Sequence, residues 1–181
     1  MPAEVVIGVC GGVSAYKTAA VVSRLAQDGY GVSVVMTRAA RRFVGPATFA
    51  ALSGRRVVQG LFDQADHPLG PHIELARSAD LLCIAPATAG LLSQAAAGAA
   101  DDLLSTLLLS FTGPILLAPA MNVEMWQKAA VQRNVERVRE DGLHIISPGR
   151  GWQSCREVGP GRMAEPDEIV AAIQAAIRGK T

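Results

Sequence analysis

Charge of one sign, aromatic rings, paired cysteines and long apolar runs are all scarce in this chain, and each shortage closes off a class of function. Lysine and arginine together number 17 against 16 aspartates and glutamates, a formal net charge of +1 that offers no broad field to nucleic acid or to an anionic membrane. Any anion must be held locally. The 3 cysteines, Cys10, Cys83 and Cys155, are odd in number and lack zinc-type spacing, so neither a disulfide framework nor a metal site is expected. A reducing cytoplasm suits them. No apolar stretch reaches the ~20 residues that span a bilayer, and the N-terminus enters strand pattern without the basic and apolar regions of a leader, so a soluble, unprocessed, cytoplasmic protein is expected. Aromatic residues are only 4% of the chain although 50% of it is hydrophobic, which suits a buried sheet and, beyond it, contact between subunits. A single domain over residues 1–181 is expected, since a chain of this length buries roughly 70% of its unfolded surface.

What is present is an alternation of short β-branched runs with helical periodicity. Residues 5–9 and 32–36 read as strands, 81–85 and 115–118 as continuous apolar strands, and 56–60 and 144–146 as shorter ones. Helical patterns occupy 14–28, 47–53, 90–97, 103–110, 129–141 and 168–178. This order predicts an α/β protein with a doubly wound parallel sheet of about six strands and helices on both faces. Residues 63–71, rich in Asp, His, Pro and Gly, read as a surface loop, and residues 148–160, dense in Gly and Arg and carrying Trp152, as a mobile lid.

In such a sheet, ligands gather where the strands end. Four turns follow expected strands: Gly11-Gly12-Val13-Ser14, Thr37-Arg38, Thr88-Ala89-Gly90 and Ala120-Met121-Asn122. The glycines let backbone approach a ligand, and Ser14 stands where it can cap a helix or meet a phosphate at the helix's positive end. The G-x-G-x-x-G spacing is missing, so a mononucleotide fits better than a dinucleotide. Asn122 reads either as an N-cap or as an amide that fixes a carboxylate, with Met121 and Met125 as soft apolar wall. His72 and Cys155 are the reactive candidates, one able to exchange a proton near neutrality and the other a thiol beside the cation Arg156. Taken alone, a histidine in a loop is more often a surface residue and a lone cysteine more often inert.

Five stretches in this order, Cys10 to Lys17, Pro71-His72-Ile73-Glu74-Leu75, Ala79 to Ala89, Pro119-Ala120-Met121-Asn122 and Cys155 to Met163, resemble the flavin-containing cysteine decarboxylases, nearest their phosphopantothenoylcysteine branch. The resemblance covers nearly the whole chain and implies a Rossmann-like, flavodoxin-like fold with FMN as cofactor. With it, the strand-end turns become expected FMN contacts, Gly11, Gly12, Val13, Ser14, Thr37, Arg38, Thr88, Ala89, Gly90 and Ala120; expected substrate contacts are Asn122, Met121, Ser154 and Arg162, the last read equally as a phosphate partner or a surface salt bridge. His72 falls on the family's active-site histidine and Cys155 on its proton donor. The implied reaction is oxidation of the cysteinyl thiol end of 4′-phosphopantothenoylcysteine to a thioaldehyde, loss of carbon dioxide as an enethiol forms, and reduction to 4′-phosphopantetheine with Cys155 supplying the proton. Asn122 would bind the departing carboxylate. The family also implies a homo-oligomer, a trimer or a dodecamer, and a separate phosphopantothenate-cysteine ligase that makes the substrate. One departure stands out: the family's form has a glycine directly after the cysteine, where this chain has Arg156. Two other readings share the fold, decarboxylation of another cysteinyl substrate such as a peptide's C-terminal cysteine, and a non-catalytic flavin-binding regulatory subunit.

Overall fold

The computed structural model describes residues 2–62 and 67–179. In chain order it contains β1 (Glu4–Val9), α1 (Ala15–Gln27), β2 (Gly31–Met36), α2 (Pro46–Ser53), α3 (Pro71–Ser78), β3 (Leu81–Ala87), α4 (Ala89–Ala97) and α5 (Leu103–Ser110). There follow β4 (Ile115–Pro119), α6 (Val123–Gln127), α7 (Ala129–Glu140), β5 (His144–Ile145), β6 (Gly149–Trp152), β7 (Val158–Arg162) and α8 (Pro166–Arg178).

The apolar runs become strands covered on both faces, because residues that alternate direction along a strand can all be apolar only where both faces are covered. All of β3 and β4 is buried. Val5, Ile7 and Val9 of β1 pack with Val21, Val22 and Leu25 of α1 and Ile169 and Ile173 of α8, whereas Val6, Leu82 and Ile84 pack with Leu104 and Leu107 of α5 and Val135 and Val138 of α7 on the other side. Each such leucine or isoleucine contributes roughly 1.5–3 kcal/mol by burial, which is what pins the helices to the sheet. Two helix starts carry a reciprocal cap. Asp102 accepts from the Ser105 amide at 2.8 Å while the Ser105 hydroxyl accepts from the Asp102 amide at 3.0 Å, so the cap of α5 is Asp102.

The parallel sheet has five strands in the order β2-β1-β3-β4-β5, not six. Residues 56–60 do not make a strand: they contribute one parallel bridge, Val35 to Val58, because only Val57 and Val58 have apolar surface to bury beside β2. Pro71, expected in a loop, starts a helix. His72 does not sit in a loop; Pro71 occupies the first turn of α3, its fixed φ suited to a helix start, and carries His72 into the helix. The loop expected at residues 63–71 partly lies outside the described residues, at 63–66. The segment read as a mobile lid contains an antiparallel hairpin, β6 with β7, standing apart from the main sheet.

The chain winds from β1 outward to β2, then returns across β1 to β3 and continues outward to β5. The direction of winding therefore reverses between β1 and β3, and a crevice opens beyond their carboxyl ends, since the following connections leave toward opposite sides.

Candidate active site

That crevice is a cleft of about 790 Å³, within the usual range for small-molecule sites. Its floor is the turn after β1 (Gly11 to Ser14), the turn after β3 (Thr88 to Gly90) and the turn after β4 (Ala120 to Asn122). Its wall is the β6–β7 hairpin, which contributes Trp152 to Cys155 and Gly161 to Arg162. A second hollow of about 510 Å³, lined by Arg77, Ser110 and Thr112 among others, holds none of the residues expected at the site.

The floor suits a phosphorylated planar ligand. An added Cβ at Gly12 would meet nothing nearer than Pro86 at 3.8 Å, so packing within the chain does not demand glycine there and the open space remains for a ligand. Ser14 precedes the 13-residue helix α1 and makes no cap hydrogen bond with its side chain, leaving the hydroxyl and the positive helix end for an anion. Thr88 caps α4, its Oγ1 accepting from the Leu91 amide at 3.3 Å. Val13, Ala89, Ala120 and Met121 supply apolar surface.

Lys17 also lines the cleft although it is almost buried. Its Nζ donates to Glu165 Oε1 at 2.9 Å, and Arg162 Nη2 reaches the same carboxylate at 2.8 Å. The Lys17 hydrogen bond, with the charges of Lys17 and Arg162 behind it, holds the Glu165 carboxyl below its usual range. Two cations share one anion, so a positive balance is left at that end of the cleft. Sequence reasoning passed over Lys17; the signal was a cation in the first turn of a helix, where the macrodipole opposes it.

Asn122 meets both of its readings. Its Oδ1 accepts from the Met125 amide at 2.8 Å, the N-cap of α6, and it lines the cleft. Because the oxygen is committed, the N–H donors, which have no partner among the described residues, are the part left for a ligand, and donors match a carboxylate.

Cys155 lies at the tip of the hairpin, and its exposed thiol contacts Gln153 Oε1 at 3.5 Å and Glu157 Oε2 at 3.7 Å. Cys10 and Cys83 are buried, which pushes their thiols up to about 12, and Cys155 is the exposed sulfur of the three. The tip is a tight loop. The Arg156 amide donates to the Gln153 carbonyl and the Gln153 amide to the Glu157 carbonyl, both at 2.9 Å, with Arg156 left-handed at φ 68°. A turn followed by a left-handed residue is the common three-residue hairpin loop, and it favours glycine at that last position. The glycine that the resemblance leads one to expect there thus has a backbone reason, and Arg156 occupies the position under strain.

Of the remaining expected residues, Ser154 and Arg162 line the cleft. Thr37 and Arg38 do not; they follow β2, the edge strand, where Thr37 Oγ1 accepts from the Ala40 amide at 3.2 Å and Arg38 is exposed. His72 also lies outside the cleft of its own chain, on α3, where its buried Nδ1 has no hydrogen-bond partner among the described residues. Among those residues no group of three or more metal-ligating side chains is found, and no helix is long and apolar enough to cross a membrane.

Known proteins resemble the chain over nearly its whole length. A family model described as Flavoprotein matches residues 2–178. The chain is 45% identical over 168 residues to the coenzyme A biosynthesis bifunctional protein CoaBC of Vibrio vulnificus (strain YJ016), which covers 93% of this chain and 42% of that protein. The chain therefore spans less than half the length of this curated relative. Among solved structures, the FMN-dependent cysteine decarboxylase SpaF superimposes with a TM-score of 0.84 at 35% identity, over 98% of this chain and 96% of that one. A PPC decarboxylase mutant complexed with pantothenoylaminoethenethiol superimposes with a TM-score of 0.85 at 27% identity, over 97% and 98% of the two chains.

Proposed function

Since the chain belongs to the Flavoprotein family, we propose that it binds FMN in the cleft and decarboxylates 4′-phosphopantothenoylcysteine to 4′-phosphopantetheine, a step of coenzyme A biosynthesis. The observation that carries this reading is the presence in one cleft of a glycine turn at a helix start, an amide with free donors and an accessible thiol, Gly11 to Ser14, Asn122 and Cys155. Likeness to CoaBC and to a PPC decarboxylase structure supports the substrate.

FMN would be held by Gly11, Gly12, Val13, Ser14, Thr88, Ala89, Gly90 and Ala120. When bound it supplies a two-electron acceptor and donor, without which a carboxylate on a saturated carbon has nowhere to leave its electron pair. The protein's own part is orientation and charge. Asn122 donates to the substrate carboxylate and fixes the bond to be broken, while Met121 and Ser154 close around the cysteinyl end. Arg162 and Lys17, sharing Glu165, leave a positive end for a phosphate. Cys155 gives its proton to carbon after carbon dioxide has left. Retention of that donor favours completion to the saturated thiol over release of an enethiol.

His72 assists the initial oxidation by taking or positioning a proton, and its place on α3 implies that it acts from a second copy of the chain. A homo-oligomer, trimer or dodecamer, would bring the imidazole to a neighbour's cleft. The 35% identity to SpaF supports a second reading, a different cysteinyl substrate, though less than the 45% identity to CoaBC supports the first.

Purified protein is expected to be yellow, or to become so with FMN, and to release carbon dioxide from phosphopantothenoylcysteine. Cys155→Ser should keep the flavin and lose the saturated thiol product by about 100-fold or more. Failure to take up FMN would remove the reading; preference for a peptide ending in cysteine would select the second.

A further inference from the structure

Gln153 stands between the two reactive parts of the cleft, and its side chain is almost fully buried. Its Oε1 accepts from the Val123 amide at 2.9 Å, one residue beyond Asn122, and also from the Cys155 thiol at 3.5 Å. Its Nε2 donates to the Pro160 carbonyl at 2.8 Å, on β7, and to the Met121 carbonyl at 3.4 Å. One amide therefore ties the residues before and after Asn122 to both strands of the hairpin that carries Cys155. We infer that Gln153 is the positioning residue that holds the Cys155 thiol in register with the Asn122 amide. The inference rests on the decarboxylase reading of the cleft.

The chemistry explains why glutamine is the residue used. The groups to be joined are an amide N–H and a thiol on one side and carbonyl oxygens on the other, so the linker must accept and donate at once. A carboxylate could accept but not donate, and an apolar side chain would leave a buried amide and carbonyls unpaired. A further anchor of the hairpin to the Asn122 turn is the Met121 amide donating to the Gly161 carbonyl at 3.0 Å. Loss of Gln153 would leave the strand-end floor intact and free the thiol relative to the amide. Carboxylate departure and carbon protonation would then fall out of step, and the enethiol would escape before Cys155 delivers its proton.

The test compares the FMN-loaded protein with Gln153→Met and Gln153→Glu. Cys155 is alkylated with iodoacetamide, a readout of one sulfur because Cys10 and Cys83 are buried, and amide exchange is followed at Val123. In Gln153→Met both rates are expected to rise by about tenfold, whereas Gln153→Glu, still an acceptor for Val123 but with a carboxylate beside the thiol, leaves Val123 protected and slows alkylation. With phosphopantothenoylcysteine, both variants should keep their flavin and release more carbon dioxide than saturated thiol. Wild-type alkylation rates in both variants, or turnover that falls while carbon dioxide and thiol stay equal, would overturn the inference. If the wild-type protein itself releases no carbon dioxide, the decarboxylase reading fails, and alkylation and exchange still decide whether Gln153 sets the position of Cys155.

Discussion

The floor of the cleft and its hairpin wall are built from different materials. The floor is main chain at the ends of β1, β3 and β4, strands held between two helical layers, and its geometry is set by the whole apolar core. The wall is a four-residue strand paired with a five-residue one, with Trp152 and Val158 each 62% exposed, and hydrogen bonds of Gln153 and the Met121 amide help tie it to the floor. A core of this size resists local change, whereas each neutral hydrogen bond contributes only about 1 kcal/mol. Cofactor binding is thus expected to survive substitutions in the wall, and catalytic register is expected to suffer from them.

The sharpest way to break this contrast is at Asn122, where the floor meets the wall. Asn122→Asp keeps an acceptor for the Met125 amide, so stability should hold, while decarboxylation falls by about 100-fold or more as a second carboxylate faces that of the substrate. Asn122→Ala should lose the same activity and about 1 kcal/mol of stability besides. Steady-state rates and thermal melts separate the two, and an active Asn122→Asp would reduce the residue to a cap. A second test strikes the docking of the wall. At Gly161, φ is 107° and an added Cβ would stand 2.6 Å from the Met121 carbonyl oxygen, so Gly161→Ala should cost about 2–3 kcal/mol. Trp126 and Trp152, the chain's 2 tryptophans, both belong to this region and report its loosening by fluorescence, while bound FMN should be unchanged. The smallest effect has the opposite sign. Arg156→Gly relieves a left-handed backbone and should stabilise the same transition by about 1 kcal/mol; an unchanged transition would mean that Arg156 makes contacts that offset its strain.

Legibility in the sequence follows the same division. The runs that became β1, β3 and β4 were evident because burial on both faces leaves no room for polar residues. Helices α1, α7 and α8 were evident because one apolar stripe recurs at the helical period. Helix α3 was hidden: it has eight residues, buries fully only Pro71 and Leu75, and follows a loop-like composition. The hairpin was hidden for a different reason. Gly149-Arg150-Gly151-Trp152 has no alternation to read, since its order comes from pairing with β7 and from Gln153.

By itself the sequence determined that the strand-end turns would share one edge, because strands joined by helical crossovers run parallel and finish on the same side. It also supplied the residue types, an amide, a thiol and glycine turns, that the chemistry requires. Only the tertiary structure decided which of them meet. The strand order leaves the turn after β2 outside the cleft and places His72 away from it, and a hydrogen bond between Val123 and Gln153, 30 positions apart, brings the thiol's hairpin to Asn122. Local periodicity carries no record of such pairings, because their free energy arises only when distant segments are packed together.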